Sequence, residues 1–338
     1  MPDTRRVAFG IFDHVDRADT PLGALYAERL ALVEAADAAG FRTYHVAEHH
    51  ATPLGMAPSP GIYLAAVAQR TRRIRFGPLV YILPLYTPLR LIEEICMLDH
   101  LSGGRFELGV GRGISPYELA YCGIDFLEAR EMYEEALAVI LAGLQTDRLT
   151  HRGRYYRYAG VPIELSPVQR PYPPLWQGVS TPESAVEAAR RGAHAVSNAP
   201  NRSVKALVEQ YFEAWQGRTG AEPPLVGAQR HIYVADTDRE ALEIARPAYK
   251  RWYDSLTHLW RRFHSVPVRF AETLERALEI DAAIVGSPAT VRTEVERHLA
   301  ETGCTYFVGR FVFGDLPAER AMRSLARFSA EVLPHFQK

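Results

Sequence analysis

Strand-like and helix-like segments alternate along this chain, and that alternation narrows its fold more than any other feature. Parallel strands need a long crossover between them, and a helix is the usual one. The first strand reads as 7–12, followed by a helix over 25–39 that stops at Gly40, a residue suited to a left-handed cap. Strand two is 43–47, with a helix at 61–71. Strand three is 74–83, closed by Pro84 and Pro88, and a helix at 89–101 ends at Gly103-Gly104. Strand four, 106–110, precedes an amphipathic helix over 127–144. Strands five, six and seven fall at 175–179, 193–197 and 231–235, with helices at 182–191, 203–216 and 238–280. Strand eight at 305–313 and a helix at 318–336 complete the series.

Eight strands alternating with eight helices are the arithmetic of a (β/α)8 TIM barrel, an α/β fold. A doubly wound sheet would need no eighth strand and would usually carry a phosphate loop after strand one, which this chain lacks. Two segments interrupt the rhythm. The Tyr- and Pro-rich stretch 146–174 reads as a hairpin excursion after helix four, and an aromatic-rich insertion with Trp252, Tyr253, Trp260 and Phe263 precedes strand eight. Both read as decorations of one domain spanning 1–338.

Charge excludes one class of partner. Lys plus Arg is 39 and Asp plus Glu is 40, so no basic excess exists to hold a nucleic acid. Arg70-Thr71-Arg72-Arg73 is read as a helix end, where cations are favoured. The three cysteines, Cys96, Cys122 and Cys304, are far apart and form no disulfide framework, which fits a reducing cytosol. No window approaches the roughly 18 apolar residues of a membrane span, and residues 1–6 do not resemble a signal peptide. The expectation is a soluble cytoplasmic protein.

Three ionisable residues, Glu48-His49-His50, stand where the second apolar strand runs out. Carboxyl ends of parallel strands are where ligands bind and catalytic side chains gather. Neighbours on a strand alternate faces, and no HxH or HxxxH pattern adds ligands, so a metal is not expected. A histidine acting as acid, base or hydrogen-bond donor fits better. His14, His45 and His194 look unremarkable taken singly.

After strand four, Gly109-Val110-Gly111-Arg112-Gly113 invites a dinucleotide-binding reading, but Ile114 stands where the third small residue belongs. Arg112 framed by glycines suits either a phosphate or carboxylate ligand or a structural ion pair. Ser180-Thr181-Pro182-Glu183-Ser184 is ordinary helix capping, and the same arrangement is an anion site. Glu93-Glu94 and Glu134-Glu135 read as solvated helix faces.

An ordered set of motifs resembles bacterial luciferase and its flavin-dependent monooxygenase relatives. It includes Ala47-Glu48-His49-His50, Leu83-Pro84-Leu85, Leu98-Asp99-His100-Leu101-Ser102-Gly103-Gly104-Arg105 and Gly109 to Gly113. It continues through Arg130, Pro167-Val168-Gln169-Arg170-Pro171, Ser180 to Ser184 and Val285-Gly286-Ser287-Pro288 to Phe311–Leu316. The resemblance implies an enzyme that uses reduced FMN and O2 to oxygenate a small organic substrate through a peroxyflavin. Arg112 would hold the flavin phosphate with Arg130 in support, and Ser180, Thr181 and Ser184 would close over it. Leu79-Val80 takes the place of a cis peptide beneath the flavin ring, and His49 that of the catalytic histidine, flanked by Glu48 and His50. Gly111 replaces the reactive cysteine of luciferase, so no thiol chemistry is implied, and the unmatched region 252–270 puts light emission in doubt.

With no nicotinamide fingerprint, a separate flavin reductase is the expected electron source, and a homodimer the expected assembly. The resemblance also admits a deazaflavin-dependent hydride-transfer enzyme. A non-catalytic flavin-binding subunit is a third option, against which His49 and Arg112 argue.

Overall fold

A computed structural model describes residues 7–215, 224–266 and 270–337. The chain runs β1 (Ala8–Asp13), α1 (Leu22–Ala39), β2 (Thr43–Val46), α2 (Pro60–Arg70), β3 (Arg75–Pro78), β4 (Tyr81–Ile82), α3 (Pro88–Ser102), β5 (Leu108–Gly111), α4 (Pro116–Tyr121) and α5 (Ala129–Gly143). An antiparallel hairpin follows, β6 (Arg148–Arg152) and β7 (Arg157–Pro162), where the excursion was expected. Next come β8 (Leu175–Gly178), α6 (Pro182–Arg191), β9 (His194–Ser197), α7 (Asn201–Ala214) and β10 (Val226–Val234). The rest is α8 (Asp238–Leu256), α9 (His258–Arg262), α10 (Leu274–Glu279), β11 (Ala283–Gly286), α11 (Pro288–Thr302), β12 (Tyr306–Arg310) and α12 (Ala318–Arg327).

The main sheet is parallel throughout, in the order β3-β2-β1-β12-β10-β9-β8-β5-β4. A parallel bridge between Phe76 and Phe106 joins β3 to the approach of β5 and closes the ring. The barrel is therefore built from β1, β2, β3, β5, β8, β9, β10 and β12, with β4 beside β5 and β11 beside β10. Strands such as β10 and β12 are buried along their whole length, as expected where helices cover a parallel sheet. Gly40 caps α1 at φ 86°, the left-handed conformation that its position predicts.

Three expectations need correction. Strand three is broken into β3 and β4 at the cis Leu79–Val80 peptide, and the Ile82 N–H donates to the Glu48 carboxylate (2.8 Å) instead of to a strand. Strand seven starts at Val226, not at 231, because its polar residues find partners inside the fold. Arg230 donates to Asn201 Oδ1 (2.8 Å) and to His298 Nδ1 (3.2 Å), and Gln229 accepts from Arg310. The helix expected over 238–280 is three helices, and α11, opened by the Ser287 cap with Pro288 behind it, is an additional one. Residue 216, at the expected end of the sixth helix, and residues 267–269 of the aromatic insertion lie outside the described residues. No described helix is long and apolar enough to cross a membrane.

The amino-terminal end of the barrel is filled by a polar layer. Glu107 is fully buried and accepts from Arg42 (2.8 Å), Arg75 (2.5 Å) and Trp176 (2.6 Å). Burial alone would raise its carboxyl, yet Arg42 and Arg75 bring it down to about 2. His45 bonds Tyr306 (3.0 Å) against the Trp176 ring, and His194 accepts the Leu225 N–H (2.8 Å). These two histidines are structural, as their isolated positions in the sequence suggest.

Burial holds several histidines neutral, and this sets the acid stability. His45 and His298 are lowered to about 3 and His194 to about 4, chiefly by desolvation, and His14 and His231 fall well below 6.5 for the same reason. Unfolded histidine takes a proton near pH 6.5, so below that pH the unfolded chain binds more protons than the fold. Stability therefore falls from about pH 6.5 downward, by about 1.4 kcal/mol per pH unit for each such group. Asp16 opposes the trend: burial raises it to about 8, which makes the fold less stable as pH rises toward that value. The histidines outnumber it, so the urea midpoint should drop steeply between pH 6.5 and 4. A flat midpoint over that range would contradict the buried neutral histidines.

Candidate active site

Where β2 ends, the backbone carries Glu48, His49 and His50 into the carboxyl-terminal mouth of the barrel. Glu48 and His49 are buried and His50 is half-buried. Glu48 bonds His50 Nε2 through one oxygen (2.8 Å) and accepts the Ile82 N–H through the other. The bond to Glu48 raises the His50 pKa. His49 Nδ1 lies 3.2 Å from Glu118 Oε1, and the same carboxylate accepts the His50 backbone N–H (2.9 Å). Burial pushes the Glu118 carboxyl up, but His49 and the His50 N–H outweigh it and leave it lowered. An ionised carboxylate only accepts, so His49 carries a proton on Nδ1.

Glu118 did not stand out in the sequence. Its one signal is Ser115-Pro116-Tyr117-Glu118, a helix-start pattern, and Ser115 does cap α4 by accepting the Glu118 N–H. The side chain turns instead to His49, 69 residues away in sequence.

His14 also belongs here, although it reads as unremarkable alone. It follows β1, is buried, and its ring lies 5.3 Å from that of His49. Trp252 on α8 donates to His14 Nδ1 (3.3 Å), and Arg310, at the end of β12, lies over the rings of Phe12 (5.0 Å) and Trp252 (4.9 Å). Arg310 is buried and bonds His231 Nε2 (2.7 Å). Val15, directly after His14, and Ala51, directly after His50, carry backbone strain: both sit at φ 54°. Positive φ is a true outlier for a β-branched residue, and such strain gathers at functional sites.

The second group lies around the ends of β3, β5 and β8. Leu79 and Val80 are partly exposed, and Gly111 faces Val80 so closely that a Cβ there would come within 2.5 Å of it. That contact explains glycine at 111. Arg112, half-buried, makes one side-chain hydrogen bond among the described residues, a long one to the Gly113 carbonyl (3.4 Å), and lies over the Phe126 ring (4.8 Å). Burial and then the nearby Arg130 lower its pKa.

Arg130 itself is taken by Glu187 (2.8 Å) and Glu134 (3.1 Å), so it adds field more than a free donor. Glu134, read as part of a solvated face, is thus an ion-pair partner. Thr181 caps α6, and Ser184 Oγ accepts the N–H groups of Ser180 (3.2 Å) and Thr181 (3.1 Å). The capping reading of this loop holds, and the exposed Ser180 hydroxyl has no partner among the described residues. Val110 and Gln177 are register partners on β5 and β8, which brings Arg112 and the α6 start to neighbouring strand ends.

No group of His, Cys, Asp and Glu among the described residues is arranged to hold a metal. The donor set instead fits a phosphorylated flavin: an arginine without an acidic partner among the described residues, a glycine turn, a helix start and a partly exposed apolar pair.

Comparison with known proteins identifies the family. A monooxygenase from Streptomyces bottropensis superposes with a TM-score of 0.88, at 27% identity, over 97% of this chain and 99% of its own. The oxygenating constituent of 3,6-diketocamphane monooxygenase from Pseudomonas putida, solved with FMN, gives 0.82 at 25% identity over 97% and 98%. The oxygenase component of a flavin-dependent trigonelline monooxygenase from Acinetobacter baylyi is 29% identical over 69% of this chain and 66% of its own. The luciferase-like monooxygenase family model matches residues 7–306, and the chain belongs to that family of enzymes.

Proposed function

We propose that the protein binds reduced FMN at the carboxyl ends of β3, β5 and β8 and uses it with O2 to oxygenate a small organic substrate. The observation that carries this is Arg112, a half-buried cation with no carboxylate partner among the described residues, at the end of a barrel strand. Arg112 donates to the flavin phosphate, and Arg130 and the α6 start, with Ser180, Thr181 and Ser184, add favourable field. Leu79, Val80 and Gly111 form the apolar shelf for the ring.

When bound, the flavin supplies the electrons that activate O2. His49, held at Nδ1 by Glu118, exchanges a proton at Nε2. Glu48 fixes His50 and the Ile82 backbone and so keeps the two strand ends in register. Electrons arrive from a separate flavin reductase: the glycine turn at 109–113 lacks the dinucleotide fingerprint, and the trigonelline relative is itself an oxygenase component.

Arg112→Ala should weaken reduced-FMN binding by about 1.5–3 kcal/mol, the range for a hydrogen bond to a charged group. Riboflavin, which has no phosphate, should bind wild type weakly and be indifferent to the change. Anaerobic titration with both compounds tests this, and equal losses would remove Arg112 from the phosphate site.

A further inference from the structure

We propose that His14 is a second functional histidine, a neutral Nε2–H donor that stands beside His49 at the barrel mouth and points a hydrogen bond at the reacting oxygen. The geometry fixes its tautomer. The Trp252 indole N–H can only donate, so His14 Nδ1 must accept, and its proton resides on Nε2. Glu118 only accepts, so His49 holds a proton on Nδ1. The two imidazoles lie 5.3 Å apart, at the ends of adjacent strands. His14 Nε2 has no partner among the described residues, so its N–H is free for a ligand.

The charges around His14 keep it in the neutral form. Burial comes first, then the permanent Arg310 cation on β12; His49 after β2 and His231 on β10 would oppose a charge on His14 only when themselves protonated. Arg310 is locked in turn by His231 and by the rings of Phe12 and Trp252. A histidine held neutral beside a permanent cation serves as a donor to developing negative charge and never as a proton reservoir.

The acceptor is an oxygen that gains negative charge, from reduced O2 or from a substrate carbonyl. This deepens the oxygenase reading, but its first test needs neither flavin nor substrate. Long-range ¹⁵N–¹H spectra of the histidines in the free protein should show His14 as the Nε2–H tautomer and His49 with a proton on Nδ1. His14 should not titrate between pH 5 and 8. In Trp252→Phe, the fixed His14 tautomer should give way to a mixture. A wild-type His14 that is Nδ1–H, or that titrates near 6.5, overturns the proposal even if the protein proves to be a flavin monooxygenase.

Two further arms identify the source of the oxygen. With photoreduced FMN and O2 alone, His14→Phe should release peroxide about tenfold faster, the worth of one hydrogen bond at the upper end of its range. His14→Gln, which keeps an N–H donor, should recover most of the difference. Without flavin, cyclohexanone should shift the His14 Nε2–H resonance if the acceptor is a carbonyl. No response in either arm would reduce His14 to a packing residue and overturn its role as donor.

Discussion

His49→Ala is expected to keep the fold and most of the flavin affinity while coupled oxygenation falls by about 10²–10⁴, the usual worth of a positioned acid or base. The separation follows from the geometry. The proposed phosphate ligands, Arg112 and the start of α6, follow β5 and β8, whereas His49 stands after β2 and is held through Glu118 on α4. Removal of the imidazole leaves Glu118 with its bond to the His50 N–H, so the local backbone keeps an anchor. Product and peroxide yields per reduced flavin consumed are the measurement, with peroxide rising as product falls. Unchanged coupling in a folded, flavin-binding variant would make His49 structural, and His50 the next candidate.

Glu107→Ala is expected to cost about 3–5 kcal/mol of stability, the range for breaking a buried ion pair from one side. Loss of the carboxylate leaves the Arg42 and Arg75 charges without this counter-ion and the Trp176 N–H without its acceptor, all in the amino-terminal layer of the barrel. Against a total of roughly 5–15 kcal/mol, that is a large share of the whole stability. Urea unfolding at pH 7 measures it, and a loss under about 1 kcal/mol would contradict the reading of this layer as a buried charge network. Flavin affinity of the molecules that remain folded should be unchanged, because the barrel separates its stabilising end from its reactive end.

Local pattern determined a good deal. The eight βα units were legible because a strand buried on both faces writes an unbroken apolar run and a covering helix writes a 3.6-residue period, and both signals are local. The hairpin excursion was legible from its turn and aromatic residues. Glu48-His49-His50 drew attention as charged residues at the end of an apolar run, and the fold does carry them to the carboxyl-terminal mouth of the barrel. Where polar residues lie inside a strand, as Gln229 and Arg230 do in β10, the apolar signal failed, since their partners at Asn201, His298 and Arg310 come from other elements.

The tertiary structure alone decided which polar groups meet. Glu118 reaches His49 across 69 residues of chain, and Trp252 reaches His14 across 238. It also separated three histidines that look alike in the sequence, sending His45 and His194 to the stabilising end and His14 to the mouth beside His49. A residue's type and local setting state what it can donate or accept. Which tautomer and charge it holds depends on partners brought near through space by barrel closure, and no periodicity along the chain encodes those distances.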